Sequence, residues 1–278
     1  MAAHGYFGLS DESMVAEAHQ IIDAARDKGT ALRLVGGLAV REHCHATRFC
    51  ERSYRDIDLV GLSRSAKAAA IVLGDLGWDE NRQVNMATMG RKRQFFRPCR
   101  HAVGSGRVHE DDRVDLYLDA FRLHHTIDLR SRLELEPYTV STSDALLVKL
   151  QRVRLDDDDL RDAVSILDDA ATIGFDDAPD GINVRYVASL CARDWGLHHD
   201  VALNLARCRL ALDSLGLGRE GHVRVRQRLE MLEQALAEAP KTRRWRLRAR
   251  VGERLAWHEP VDDVEGVYFS LGERIQRP

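Results

Sequence analysis

A chain of 278 residues with 44% hydrophobic side chains can bury one large core or two modest ones, which excludes wholesale disorder. With 31% charged residues and a mean hydropathy of -0.35, its surface is expected to be soluble and rich in charge. The 41 basic and 44 acidic side chains give a net charge of -3, which excludes a uniformly basic nucleic-acid coat and leaves local patches open.

No run approaches the ~18 consecutive apolar residues of a membrane span, so no membrane partner is expected. The opening residues, MAAHGYFGLSDES, carry neither a basic n-region nor an apolar h-region, and no secretory leader is expected from them. The 5 cysteines, Cys44, Cys50, Cys99, Cys191 and Cys208, are odd in number and irregularly spaced. They do not read as a disulfide framework, which points to a reducing, cytoplasmic compartment.

Residues 11–28 place Met14, Val15, Ala18, Ile21, Ile22 and Ala25 on one helical face, with Ser10 as cap and Gly29 as terminator. Leu32 to Val35 reads as a short strand ending at Gly36-Gly37, and a helix is expected from Leu38 to about His45. Asp56 to Val60 reads as a buried strand. Ser63 opens an alanine-rich helix ending near Gly74 or Gly77. Gln94-Phe95-Phe96 and Arg113 to Asp119 are further strands, with a turn at Gly104-Ser105-Gly106. Beyond about residue 130 the pattern becomes almost wholly helical. Ser141 to Asp144 starts one helix, and helical periodicity recurs near 159–173, 183–195, 199–215 and 222–238, where Pro240 ends it. The boundary falls near 130–140, dividing an α/β domain (1–135) from a helical one (136–278).

The chemistry concentrates around Gly36-Gly37 and Asp56-Ile57-Asp58, which follows 19 residues after the diglycine. Residues i and i+2 of a strand share a face, so Asp56 and Asp58 lie together while Ile57 and Leu59 point the other way. Paired carboxylates repel unless a cation sits between them. Hard ions such as Mg²⁺ take oxygen ligands and keep positions open for phosphate. A diglycine at the end of a strand lets backbone N–H groups come close to a triphosphate. A third carboxylate is expected from Val114 to Asp119, where Asp115 and Asp119 share a face; Asp115, deeper in the strand, is preferred.

These residues resemble the nucleotidyltransferase-fold superfamily, and within it the AbiEii-type and MenT-type toxin nucleotidyltransferases. The matching text is Leu34-Val35-Gly36-Gly37, then Arg52-Ser53-Tyr54-Arg55-Asp56-Ile57-Asp58, then Lys149-Leu150-Gln151 with Asp159-Leu160-Arg161-Asp162. It spans roughly residues 30–165 and departs at Tyr54, where those families usually carry Thr. The resemblance implies an α+β fold, a small mixed sheet flanked by helices and followed by an all-helical domain. It implies transfer of a nucleoside monophosphate from an NTP to an acceptor hydroxyl. Gly36, Gly37, Arg52 and Lys149 would bind the nucleotide. Asp56, Asp58 and Asp115 would hold Mg²⁺ or Mn²⁺, with Asp115 as third ligand or base, and Asp162 would assist, with Asp159 as its alternate. The acceptor would be tRNA, as for the toxins with their cognate antitoxin, or a small molecule, as for the aminoglycoside and lincosamide enzymes. A catalytically idle version that binds RNA or a partner is the rival from another class.

Read from its neighbours alone, Lys149 is a boundary lysine at the edge of a stripe formed by Leu146, Leu150 and Val153. His43-Cys44-His45 with Cys50 offers soft ligands, but at no standard zinc spacing. His124-His125 reads as a solvated pair. Two basic clusters with aromatics suit phosphate and exposed bases: Arg91-Lys92-Arg93 with Arg97 and Arg100 around Phe95 and Phe96, and KTRRWRLRAR at 241–250 around Trp245. The acidic run Asp156 to Asp159 would instead favour a polycationic acceptor.

Overall fold

The computed structural model describes residues 11–44, 54–89, 91–97 and 112–260. Helix α1 (Asp11–Asp27) ends where Gly29, at φ +67°, turns the chain and Gly29 N–H donates to Arg26 O at 2.9 Å. Strand β1 (Leu32–Leu34) runs directly into α2 (Gly36–His43), and β2 (Ile57–Gly61) leads to α3 (Ala66–Asp75). Two elements absent from the sequence reading come next, β3 (Asp79–Glu80) and α4 (Arg82–Ala87). Asn81 caps α4, and the Asn85 side chain accepts the Gln94 N–H at 2.8 Å, which holds this turn against β4 (Lys92–Arg97). Strand β5 (Asp112–Leu118) is followed by a small hairpin of β6 (Ala120–Arg122) and β7 (Thr126–Asp128).

The five-stranded sheet has the order β1-β2-β5-β4-β3. Strands β2 and β5 are parallel and every other pair is antiparallel. Strand alternation gives its two faces different neighbours. Ile57, Leu59, Phe95, Val114 and Leu116 point to a core that α1 and α3 close with Ile21, Ile22, Val72 and Leu73. The opposite face carries Asp58 and Val60 on β2, Arg113, Asp115 and Tyr117 on β5, and Lys92 and Gln94 on β4.

The later elements are α5 (Thr142–Leu150), α6 (Asp157–Asp169), β8 (Thr172–Gly174), β9 (Gly181–Asn183), α7 (Val184–Cys191), α8 (Trp195–Ala211), α9 (Arg219–Glu238) and α10 (Arg243–Val251). Side chains of Ser141, Asp156, Asn183, Asp194 and Thr242 cap α5, α6, α7, α8 and α10. The parallel pair β8–β9 corrects the expectation of an all-helical second half. Its strands are only three residues long, too short to announce themselves by alternation. A second core joins α5 to α9 and also takes in Val35, Val40, Val60 and Phe121, so the later helices pack directly on the first half of the chain. The chain is therefore a mixed α and β structure. No helix among the described residues is long and apolar enough to cross a membrane.

Candidate metal centre

The parallel register of β2 and β5 sets Asp58 beside Asp115, and Asp56 precedes β2 by one residue. Each of the three carboxylates offers an oxygen, and these oxygens lie within 4.8 Å of one another. Asp115 is buried, while Asp56 and Asp58 are half-buried. The diglycine faces this cluster. Gly36 is at φ +74°, and a Cβ there would lie 2.5 Å from Asp58 Oδ2, so only glycine lets the chain turn so close to the carboxylate. Val35 N–H donates to Asp58 O at 3.0 Å, which ties the turn to β2. Helix α2 starts there with no capping side chain and no acid in its first turn, and Gly37 is partly exposed.

Burial, followed by the neighbouring Asp56 and Asp115 carboxylates, raises the Asp58 carboxyl well above its ordinary range, while Lys92 and Arg113 pull the other way. Burial and the three aspartates likewise push the Tyr117 hydroxyl up.

Three polar side chains near the carboxylates were not singled out from the sequence as site residues. Lys92 Nζ lies 2.6 Å from Asp115 Oδ2, and Gln94 Nε2 donates to Asp115 Oδ1 at 3.0 Å. Arg113 pairs through one terminal nitrogen with Asp56, and its Nε is 3.6 Å from Asp115 Oδ2. Their signal was the even-numbered phase of β4 and the odd-numbered phase of β5, which becomes readable only once the register is known. The same register divides the first basic cluster between the two faces of the sheet. Arg93 pairs with Glu80 on the other side of the sheet, and Arg97 pairs with Glu17 and covers the Trp78 ring at 4.3 Å. Arg100 and the turn at 104–106 lie outside the described residues, as does Arg52.

Asp119 does not stand in for Asp115. It sits at φ +65° just past β5, its Oδ1 accepts the Ser63 N–H at 2.9 Å, its own N–H donates to Gly61 O at 2.8 Å, and its carbonyl accepts the Leu129 N–H at 2.9 Å. Tyr54 is buried in the core beneath the sheet, with the Arg41 guanidinium 6.0 Å from its ring centroid.

Lys149 and Asp162 form a separate cluster. Every residue of α5 is buried, which overturns the boundary reading of Lys149. Its ammonium lies 2.9 Å from Asp159 Oδ1 and 2.8 Å from Asp162 Oδ2, and Arg152 Nε is 2.7 Å from Asp159 Oδ2. Burial opposes the charge on Lys149, but the two aspartates outweigh it and raise the lysine pKa. Within the acidic run, Asp156 caps α6 and Asp159 is buried, which leaves Asp157 and Asp158 exposed.

His125 is buried rather than solvated, with Nε2 2.7 Å from Asp200 Oδ2. His43 Nε2 is 2.8 Å from Val140 O, and its Nδ1 is 3.0 Å from Asp180 Oδ1. Cys44 is buried, and His45 and Cys50 lie outside the described residues. Among the described residues, the three aspartates are the one group of at least three such side chains close enough to hold a metal ion. Three hard oxygen donors fit Mg²⁺ or Mn²⁺ and suit zinc or copper poorly.

Helix α10 buries none of its residues and carries Arg243, Arg244, Arg246, Arg248 and Arg250 with no acid. The Arg248 guanidinium lies 4.8 Å from the Trp195 ring centroid, beside a shallow cavity of about 510 Å³ lined by Trp195, Arg250 and Arg254 among others. No protein-family model matches the chain, and no curated protein matches its sequence.

Proposed function

We propose that the protein has a nucleotidyltransferase-like fold and moves a nucleoside monophosphate from an NTP to an acceptor hydroxyl, using Mg²⁺ or Mn²⁺ held by Asp56, Asp58 and Asp115. The observation that carries this reading is the convergence of three carboxylates within 4.8 Å, with Gly36 packed against Asp58 Oδ2. When bound, the divalent ions would neutralise the triphosphate and ease deprotonation of the acceptor.

The chain's own groups would then position the reactants. The start of α2, with its unfilled N-cap and the small Gly36-Gly37 pair, would receive phosphate oxygens at backbone N–H groups. Gln94 would orient the Asp115 carboxylate through Oδ1, and Lys92 lies against Oδ2. The acceptor oxygen would bond to the α-phosphorus as the α–β bridging bond breaks, and pyrophosphate would leave with that electron pair. The acceptor proton would pass to Asp115 or to water. In the resemblance, Lys149 contacts phosphate. Here that contact would require the ammonium to part from Asp159 and Asp162.

For the acceptor, RNA is favoured over a polycationic small molecule. Half of the acidic run goes to a helix cap and a buried pair, whereas α10 presents an exposed basic face with no acid beside a partly exposed tryptophan. The test is incubation with each labelled NTP, Mg²⁺ or Mn²⁺, and total tRNA. Label should enter RNA and be abolished in Asp56→Asn and Asp58→Asn, and full transfer by either variant would overturn the mechanism. Changing Arg243, Arg244 and Arg246 together to Glu should abolish RNA labelling and spare NTP binding. An active triple mutant would turn the acceptor reading to the small molecule.

A further inference from the structure

The aspartate cleft already contains cations of its own. Lys92 reaches it from β4 and Arg113 from β5, and between them they contact Asp115 and Asp56. With all three carboxylates ionised, as metal ligands must be, two cations leave one excess negative charge. A single divalent ion would reverse that balance to a net positive cleft, which would then attract an anion such as a triphosphate. Lys92 and Arg113 side chains are 27% and 28% exposed, so both lie at the rim and can move without opening a core. Asp115 divides its oxygens between a neutral partner and a charged one, with Gln94 on Oδ1 and Lys92 on Oδ2. Losing the lysine would therefore leave the carboxylate still oriented by Gln94.

Resting on the metal-dependent reading of the cleft, we propose that Lys92 and Arg113 are exchangeable counter-ions. They hold the carboxylates until a divalent ion and nucleotide arrive, then release them to the metal and pair with the phosphates. The same two residues therefore oppose the metal alone and favour the metal–nucleotide complex. A lysine that only braced the fold would shift both affinities in the same direction.

The experiment measures Mn²⁺ binding to the full chain by the loss of the free-ion electron paramagnetic resonance signal. It is run with Mn²⁺ alone and with Mn²⁺ plus ATP, GTP, CTP or UTP in turn, and nucleotide affinity is measured by calorimetry. Lys92→Gln should tighten Mn²⁺ alone and weaken the nucleotide in the presence of Mn²⁺. Each change should be roughly tenfold, the scale of one charge-assisted hydrogen bond. Lys92→Arg should restore both values towards the wild type. Arg113→Gln should repeat the split, and should it fail to fold, Lys92→Gln decides alone. Parallel loss of both affinities, no change in either, or Mn²⁺ binding with no nucleotide binding would overturn the exchange. A wild-type chain that takes up no Mn²⁺ with or without nucleotide would instead sink the metal reading, and the exchange with it.

Discussion

On the sheet face, Asp56, Asp58 and Asp115 share two rim cations that are about one-quarter exposed. Behind α5, Asp159 and Asp162 meet Lys149 and Arg152 in equal number, and the Lys149 side chain is 4% exposed. Both regions are built from aspartates and long basic side chains, so residue type does not separate them; charge balance does, together with the depth of Lys149. A matched set has no unmet electrostatic demand and holds elements together. A mismatched set at an accessible edge leaves its carboxylates in mutual repulsion, which an external cation relieves.

The hardest way to break this comparison is Lys149→Met. It would leave two buried aspartates facing Arg152 alone and should cost about 3–5 kcal/mol of stability, measured by urea unfolding. A variant that unfolds like the wild type but binds NTP poorly would show Lys149 to be a nucleotide ligand, as the family resemblance implies. Gly36→Ala comes next. At φ +74° an alanine costs roughly 1–2 kcal/mol, and its Cβ would also collide with Asp58 Oδ2. Mn²⁺ affinity should therefore fall more than stability does, and preserved Mn²⁺ affinity would detach the turn from the metal centre.

The sequence shows the carboxylates better than it shows their setting. Asp56, Asp58 and Asp115 are readable because a strand's two-residue period and a diglycine are local signals. The pairing of Lys92 with Asp115 is not local, since it depends on how β4 aligns with β5 across residues that neither strand specifies. Lys149 misleads for a related reason. Its own helix has an apolar edge, and only the fold brings α6 over it with two aspartates. The helices α5 to α9 follow from periodicity, whereas β8 and β9 are too short to do so.

Asp58→Asn sharpens the comparison with a smaller effect. Removing a crowded charge should leave the metal-free protein equally or slightly more stable, by at most about 1 kcal/mol, and abolish transfer. A destabilised variant would place Asp58 with the structural charges. The smallest effect is a control outside both regions. Burial, then Lys241 and His199, lowers the His198 imidazole to about 4. Its contribution to stability is thus present above the ordinary histidine range and is lost as pH falls from about 6.5 towards 4. His198→Gln should flatten that part of the stability curve while leaving Mn²⁺ binding unchanged. An unaltered curve would show that the histidine is not the group responsible.

The hydrogen bonds around Asp119 have a consequence at the opposite end of the strands. By joining Gly61, Ser63 and Leu129, that residue pins the exits of β2 and β5 against sliding. A slip of one residue would carry Asp115 to the apolar side of the sheet and bring Leu116 beside Asp58 in its place. Asp119 thus works as a ruler for the three carboxylates, fixing by alignment what it never touches. Inherited changes at that corner would disarm the cleft while every one of its acidic residues stayed in the sequence.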